Sequence, residues 1–232
     1  MIEEIYAIEI SGVCNGNCSY CPYSLQQRER GFMSVETLKQ TLSWIETGKL
    51  RAGRPLHLHL FGEPMLHPDF LTMARMVKEV WQHISFSTNG TGISYAVGQL
   101  MKEIGFDWIT VSPHDKAKAY AAYCLLKATK NEVRMHGGPD HNWAGQVNHE
   151  VKWRAPCEFA LFNKVVVRWN GDVAVCCITD NQEGVIGTVW DKDLPEKEHV
   201  AIPMCATCHL KRSDYGLDRK TLPVQPDAAM SA

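Results

Sequence analysis

The sequence predicts an α/β protein with a parallel sheet, a partial (β/α)6 barrel followed by a small C-terminal domain that contains a β-hairpin. Two observations carry this prediction. Short β-rich segments alternate with amphipathic segments five times within residues 5–136, and an Asn-Gly turn joins two β-rich runs between residues 164 and 176. Because parallel strands need crossover connections, the alternation is typical of a parallel sheet, either open or wound into a barrel.

The predicted elements follow one another closely along the chain. The predicted strands are 5–10, 56–61, 83–87, 107–112 and 132–136, and the predicted helices are 34–47, 68–81, a segment that ends near 104, and 116–128. Ser34 is expected to cap the first helix, and Pro55 is expected to precede the second strand. We expect residues 1–145 to form the barrel, 146–212 the second domain and 213–232 a disordered tail.

Composition excludes several classes of protein. The chain has 232 residues, 45% of them hydrophobic, and a formal net charge of −2, so nothing indicates binding to nucleic acid or to a membrane surface. No apolar run reaches the length of a membrane span, and the first residues lack the pattern of a signal peptide. We therefore expect a cytoplasmic protein, in which nine cysteines indicate metal or redox chemistry rather than disulfides.

The most informative motif is a loop with three cysteines directly after the first predicted strand. Cys14, Cys18 and Cys21 lie within eight residues, and the next cysteine or histidine is His57. Three thiolates on one loop suit a cubane iron–sulfur cluster that keeps one iron open to a reacting ligand. The alternative is a zinc knuckle, which would need a fourth ligand nearby.

With Tyr20 before the last cysteine, the loop reads Cys-x3-Cys-x-aromatic-Cys and resembles that of the radical S-adenosylmethionine (SAM) enzymes. The resemblance implies a 4Fe–4S cluster on the three cysteines, with SAM as the second cofactor. It implies that the reduced cluster cleaves SAM to methionine and a 5′-deoxyadenosyl radical, which abstracts hydrogen from the substrate. It also implies an electron donor such as flavodoxin or ferredoxin.

Further motifs follow the other predicted strands. Gly62, Glu63 and Pro64 resemble the Gly-Gly-Glu-Pro element that binds the SAM amino group in this family, with Phe61 in place of the first glycine. The polar residues that the resemblance assigns to SAM are Ser85, Ser87, Asn89 and Ser112. Because loops at the carboxyl ends of parallel strands converge, these motifs should meet at one edge of the sheet. A common Asn-Gly turn is the alternative for residues 89–90.

A second set of cysteines begins at Cys157, which the predicted hairpin brings close to Cys176, and continues with Cys205 and Cys208. Four thiolates can hold a second 4Fe–4S cluster, and a structural zinc is the competitor. The spacing resembles the start of the SPASM domain. Asp214 stands where the next cysteine would fall, so the resemblance is to the shortened Twitch form, with one auxiliary cluster. Cys177 could replace Cys176 as the ligand.

The resemblance implies an oxidoreductase. Enzymes with a Twitch-like domain include dehydrogenases that oxidise a secondary alcohol of an aminocyclitol, and we expect a small polyol-like or sugar-like substrate. The candidate catalytic residues are His114, Arg134, His136 and His141, whereas His57 and His59 are each expected to be core or surface residues. The alternatives are a peptide-modifying radical SAM enzyme and a zinc-stabilised binding protein without catalysis.

Overall fold

The computed structural model of the chain describes residues 2–136, 143–147, 155–179, 182–194, 202–206, 208 and 210–211. Its strands and α-helices, in chain order, are β1 (Glu4–Ile8), α1 (Val35–Glu46), β2 (Arg51–His57), α2 (Phe70–Val80), β3 (Ile84–Thr88), α3 (Tyr95–Ile104), β4 (Trp108–Val111), α4 (Lys116–Ala128), β5 (Val133–Met135), β6 (Ala155–Pro156), α5 (Glu158–Phe162), β7 (Lys164–Val167), β8 (Asp172–Ala174), β9 (Val185–Thr188) and β10 (Leu210–Lys211). In this part of the chain, no helix has the length and apolarity needed to span a bilayer.

The main sheet has eight strands in the order β5-β4-β3-β2-β1-β7-β8-β9. The six neighbours from β5 to β7 all pair in parallel, and β8 and β9 continue the sheet in antiparallel pairing. The sheet ends at β5 on one side and at β9 on the other, so it is an open, partial barrel. This confirms the predicted α/β fold.

The predicted hairpin is present, and it belongs to the main sheet. β7 pairs with β8 across a turn in which Gly171 has a φ of +91°, a conformation that glycine adopts readily. On its other side, β7 pairs in parallel with β1, where Ile5 lies opposite Val165 and Ile8 opposite Val167. The hairpin therefore supplies the sixth parallel strand of the barrel, a pairing that the sequence did not predict.

The second strand differs from its prediction, because it begins at Arg51 and ends at His57 rather than spanning 56–61. Pro55 lies inside it. Between the pairs Ile5–Ala52 and Ala7–His57 the register with β1 shifts, and Pro55 falls within this irregular stretch. Since proline cannot donate a ladder hydrogen bond, such an irregularity is where a strand tolerates it.

Helices α1 to α4 pack on one face of the sheet, and the other face carries polar residues together with a smaller apolar cluster that includes Ala7 and Phe159 of α5. Ser34 caps α1 as predicted, since its Oγ accepts a hydrogen bond from the Thr37 amide at 3.0 Å. The buried residues that form the main core with the helices include Leu56 and Leu58 of the second strand region and Phe86 of β3. Alternation along a strand directs the residues between them to the opposite face.

A buried ion pair joins the end of β1 to the loop that follows the cysteines. Glu9 is fully buried, and its carboxylate accepts two hydrogen bonds from the Arg28 guanidinium, at 2.5 and 2.6 Å. The same carboxylate accepts the amide of Phe61 at 3.2 Å and the amide of Trp169 at 3.5 Å. One side chain thus ties together four segments that surround the cysteine loop.

We expect Arg28→Ala to lower the free energy of unfolding by about 3–5 kcal/mol, because it leaves the Glu9 carboxylate buried without its partner charge. Anaerobic urea denaturation would measure the loss. The exposed Arg51–Glu3 pair is the matched control, and Arg51→Ala should cost less than about 1 kcal/mol. A double variant, Glu9→Leu with Arg28→Met, should recover only part of the loss, because it removes the unpaired charge but leaves the Phe61 amide without its acceptor. Equal effects of the two arginine variants would contradict this account.

Candidate active site

A cavity of about 270 Å³ lies at the carboxyl ends of β1 to β5, where the sequence places its motifs. Every one of the five strands contributes a lining residue, either at its end or from the loop that follows it. The predicted site residues that line the cavity are Cys14, Cys18, Cys21, Gly62, Glu63, Ser87, Asn89, Ser112, His114 and His136. The expected convergence of these loops at one edge of the sheet is thus confirmed.

The cysteine loop leaves open space between its sulfur atoms. A Cβ on Gly16 would make ordinary van der Waals contact with Sγ of Cys18 at 3.4 Å and with Sγ of Cys14 at 3.5 Å, so Gly16 borders the same space as the two sulfurs. Burial raises the pKa of all three thiols, that of Cys21 to about 11. Such thiols ionise when a metal binds them, because its positive charge replaces the lost solvation. Three sulfurs facing one cavity fit a 4Fe–4S cluster with an open iron.

The backbone of the cysteine loop lies so close to Gly62 that this position of the Gly62-Glu63-Pro64 motif must be a glycine. A Cβ on Gly62 would lie 2.0 Å from the carbonyl oxygen of Ser11, at the base of the cysteine loop. The next amide, that of Glu63, donates to the carbonyl of Val13 at 2.8 Å. This glycine therefore lets the second strand's loop lie directly against the cysteine loop, in addition to any contact with SAM.

The Glu63 carboxylate is buried and nearly saturated with hydrogen bonds. It accepts from the Thr88 hydroxyl at 2.8 Å, from the Met65 amide at 3.1 Å and from the Asn89 amide at 2.6 Å. Burial raises its pKa, and these three donors act in the opposite direction. Since a carboxylate has about four acceptor positions, one position remains, which fits an ammonium group in the cavity.

Asn89 links the loop after β3 to the cysteine loop. Its side-chain amide donates to Oδ1 of Asn15 at 2.8 Å, and its own Oδ1 accepts from the amide and the hydroxyl of Thr91, at 3.0 and 2.6 Å. Asn15 in turn donates to the Thr91 hydroxyl at 3.0 Å. Asn89 therefore positions the loop that carries Cys14, besides lining the cavity.

On the β4 side, the cavity is closed by two aromatic rings in contact. The Tyr20 hydroxyl is hydrogen-bonded to Nδ1 of His114, so the aromatic residue of the cysteine motif is fixed from across the cavity. Burial lowers the pKa of His114. Ser112 and His136 lie beside it, held by backbone hydrogen bonds of 2.8 and 2.9 Å to the neighbouring strands.

Some predicted residues lie elsewhere. Ser85 is fully buried beneath the cavity and is hydrogen-bonded to Nδ1 of His57 at 2.8 Å. Arg134 is exposed, with its guanidinium 3.9 Å from the centre of the Trp108 ring. Neither these two nor Pro64 is among the residues that line the cavity. His141 falls outside the described residues, as does the predicted tail 213–232.

Residues beyond the predicted site set also line the cavity, among them Tyr23, His59, Phe61 and Trp143. Trp143 donates from Nε1 to the Tyr20 carbonyl at 2.9 Å and packs against Phe61, with ring centres 5.2 Å apart. The Tyr23 hydroxyl accepts the Cys14 amide at 2.7 Å. His59 lines the cavity as well. Its signal was present in the sequence, because residues 56–60 alternate between leucine and histidine and place both histidines on one face.

The second cysteine set also comes together. A small cavity of about 50 Å³ is lined by Cys157, Cys176, Cys177, Cys205 and Cys208. Cys157 directly precedes α5, and Cys176 and Cys177 follow β8, so the hairpin brings the two regions together as predicted. Burial raises the pKa of Cys157 to about 11. These five thiols are the residues of this region that could hold a metal, and Phe159, from α5, completes the same wall.

Comparisons with known proteins point in one direction. The family model described as Radical SAM superfamily matches residues 8–142. S-adenosyl-L-methionine-dependent 2-deoxy-scyllo-inosamine dehydrogenase from Niallia circulans is 31% identical over 208 residues, which cover 83% of this chain and 80% of that protein. A tungsten-containing aldehyde ferredoxin oxidoreductase cofactor-modifying protein from Pyrococcus furiosus is 30% identical over 62% of this chain, and pre-heme d1 synthase from Dinoroseobacter shibae is 28% identical over 43%. This chain spans only 36% and 24% of those two proteins.

Solved structures agree on the fold. BtrN in complex with AdoMet and 2-DOIA superposes with a TM-score of 0.70 and 24% identity, covering 83% of this chain and 80% of that one. Native anSMEcpe with bound AdoMet gives a TM-score of 0.60 at 16% identity, covering 81% and 78%. The family implies a 4Fe–4S cluster and SAM, and the cysteine loop fits both. This chain therefore belongs to the radical SAM superfamily and is an enzyme.

Proposed function

We propose that this enzyme dehydrogenates a secondary alcohol of a small cyclitol-like or sugar-like substrate to a ketone. The observation that carries the proposal is the match to 2-deoxy-scyllo-inosamine dehydrogenase, because it extends over four fifths of both chains rather than over the family motif alone. In this proposal, residues 1–145 form most of the radical SAM barrel, to which β7 adds the sixth parallel strand, and the rest of residues 146–212 form a Twitch-like domain around a second cluster.

The residues of the cavity would hold the cofactors. Cys14, Cys18 and Cys21 would bind the first cluster, and Glu63 would accept a hydrogen bond from the SAM ammonium at its remaining acceptor position. Of the residues that the sequence assigned to SAM, Ser87, Asn89 and Ser112 line the cavity and would contact the rest of SAM. When bound, the reduced cluster and SAM supply the 5′-deoxyadenosyl radical that removes a hydrogen atom from the substrate.

Completing the oxidation requires that the substrate lose a proton and an electron. His114 and His136 line the cavity and are the described candidates for accepting the hydroxyl proton. The lowered pKa of His114 favours the neutral ring that a base needs. Cys157, Cys176, Cys205 and Cys208 would hold the 4Fe–4S cluster that takes the electron. A flavodoxin or ferredoxin would supply the first electron.

The proposal is tested with 2-deoxy-scyllo-inosamine that carries deuterium on every ring carbon. The chain, reconstituted anaerobically with iron, sulfide and SAM and reduced with dithionite, should form the ketone and place one deuterium in 5′-deoxyadenosine. A panel of related cyclitols and sugars would be run in parallel. If 5′-deoxyadenosine forms without deuterium and none of these alcohols is oxidised, the dehydrogenase proposal fails and a peptide substrate becomes the next hypothesis.

We expect Cys176→Ser to lose the second cluster, about four iron atoms per chain, and Cys177→Ser to keep it. Cys177 packs, as Cys157 does, against the apolar cluster around Ala7 and Phe159, so the choice of ligand rests on the register, with four residues between Gly171 and Cys176. Hydrogen bonding between the two cysteines lowers the pKa of Cys176 and raises that of Cys177, so Cys176 is the better thiolate. Iron and sulfide analysis measures the difference. The reverse outcome would move the ligand by one residue.

A further inference from the structure

The barrel face opposite the helices carries a strip of polar residues beneath the cavity. His57 and His59 lie on this face, since Leu56 and Leu58 point into the main core and are fully buried. The two imidazoles meet edge to face, with ring centres 5.5 Å apart. Of the two, only His59 lines the cavity, and the proposed function gives it no role.

The hydrogen bonding of His59 fixes the position of its proton. Nδ1 lies 3.2 Å from the backbone amide of Ser87. A backbone amide can only donate, so Nδ1 must be the unprotonated nitrogen of the ring. The proton of the neutral imidazole is therefore on Nε2.

The Nε2 atom has no hydrogen-bond acceptor among the described residues, and it is not one of the fully buried unpaired atoms. The ring is partly exposed, and it borders the cavity together with Ser87 and Phe61. An accessible N–H on a cavity wall leaves a donor to be used by whatever fills the cavity.

The donor carries no positive charge. Burial, together with the neighbouring His57, lowers the pKa of His59 to about 3, so the ring stays neutral at physiological pH. His57 behaves in the same way, with a pKa lowered to about 4 by its burial. A neutral donor of this kind binds an oxygen acceptor and rejects an ammonium group, which can only donate.

We propose that His59 is a substrate-binding residue that donates an Nε2–H hydrogen bond to an oxygen of the bound alcohol. The inference rests on the proposed function, since it takes a polyhydroxylated substrate as the occupant of the cavity beside the cysteine loop. It also sets an orientation: a substrate with both amino and hydroxyl groups turns a hydroxyl edge, not its ammonium, toward His59.

Two variants separate this role from a structural one. An Asn side chain places its carbonyl near the position of Nδ1 and can still accept the Ser87 amide, but it has no donor at the position of Nε2. A Gln side chain reaches the position of Nε2 with an amide N–H and gives up the Ser87 contact. His83→Asn is the control, because His83 pairs with Asp107 away from the cavity.

Binding is measured by calorimetry on the oxidised holoenzyme with SAM present, a state that does not turn over. We expect His59→Asn to weaken 2-deoxy-scyllo-inosamine binding about tenfold and His59→Gln to stay within about threefold of the wild type, the scale of one neutral hydrogen bond. SAM affinity and iron content should match the wild type in both variants. A structural role would reverse the order of the two variants and overturn the inference.

Analogues that lack one ring hydroxyl at a time locate the acceptor. For one of these analogues, the wild-type enzyme should bind about tenfold more weakly than it binds the full substrate. His59→Asn should bind that analogue and the full substrate equally well, as expected when His59 contacts the missing hydroxyl directly. Additive losses at every position would overturn the inference while the proposed function stands. A wild-type enzyme that neither binds nor oxidises any of these alcohols would instead overturn the proposed function, and the inference with it.

Discussion

Replacing Cys14, Cys18 and Cys21 together by Ala should abolish formation of 5′-deoxyadenosine from SAM. All three sulfurs line the same cavity, and they supply the thiolates that a cluster with one open iron requires. Without them, the described wall of the cavity lacks the three thiolates that would hold the cluster next to SAM. The measurement is the yield of 5′-deoxyadenosine by chromatography after anaerobic reconstitution and dithionite reduction, normalised to folded protein.

The same variant should lose about four iron and four sulfide per chain and keep the remainder in the second cysteine set. Cys124→Ala is the matched control, because this cysteine is exposed on α4 and should leave both the metal content and SAM cleavage unchanged. If the triple variant still produces 5′-deoxyadenosine, the assignment of the three cysteines is wrong. If it loses all of its iron, the two cysteine sets are not independent sites.

Local patterns predicted the parts of this structure that short segments determine. The cap at Ser34, the hairpin turn at Gly171 and the span of α4 follow from residues close in sequence, and each is confirmed. The rule that loops meet at the carboxyl ends of parallel strands then placed ten of the predicted site residues around one cavity. That step needed the fold class but no knowledge of individual contacts.

What the sequence did not predict depends on contacts between distant residues. The parallel pairing of β7 with β1 joins segments about 160 residues apart, and nothing local to either strand indicates it. The Glu9–Arg28 pair and its bonds to Phe61 and Trp169 are equally non-local. The early start of β2 was missed because Pro55 is a reliable strand breaker except where the register shifts.

In the active site, too, the sequence indicated which residues matter, and the structure showed the contacts that explain why. Gly62 was matched by its motif, yet the reason that it must be glycine is the approach of the Ser11 carbonyl, which only the folded chain reveals. His59 was visible in the alternation of residues 56–60, and its importance emerges only from the Ser87 amide that fixes its proton on Nε2. Motifs therefore identified the cofactor chemistry, whereas the groups that would contact the substrate required the structure.

Replacing Cys205 and Cys208 together by Ser should leave SAM cleavage detectable and stop formation of the ketone. These two cysteines, with Cys157 and Cys176, line the second cavity. Cys205 lies within the short 3-10 helix Pro203–Ala206, and neither it nor Cys208 lines the first cavity, so the replacement should not disturb the first cysteine loop. The readouts are 5′-deoxyadenosine and ketone, measured in the same reaction, with Cys124→Ser as the control.

We expect SAM cleavage to continue without ketone formation because the oxidation needs an acceptor for one electron. After a hydrogen atom leaves an alcohol carbon and the hydroxyl proton leaves with a base, the substrate retains one electron too many for a ketone. In the proposed function, the second cysteine set holds the cluster that accepts this electron. The ring of Phe159, in the wall of that site, packs against the ring of Tyr6. The Tyr6 ring centre lies 4.7 Å from that of His57, beneath the substrate cavity. The two sites are thus joined by contiguous aromatic side chains. If the double variant made ketone at the wild-type rate, the second site would be structural, and the electron would have to leave by another route.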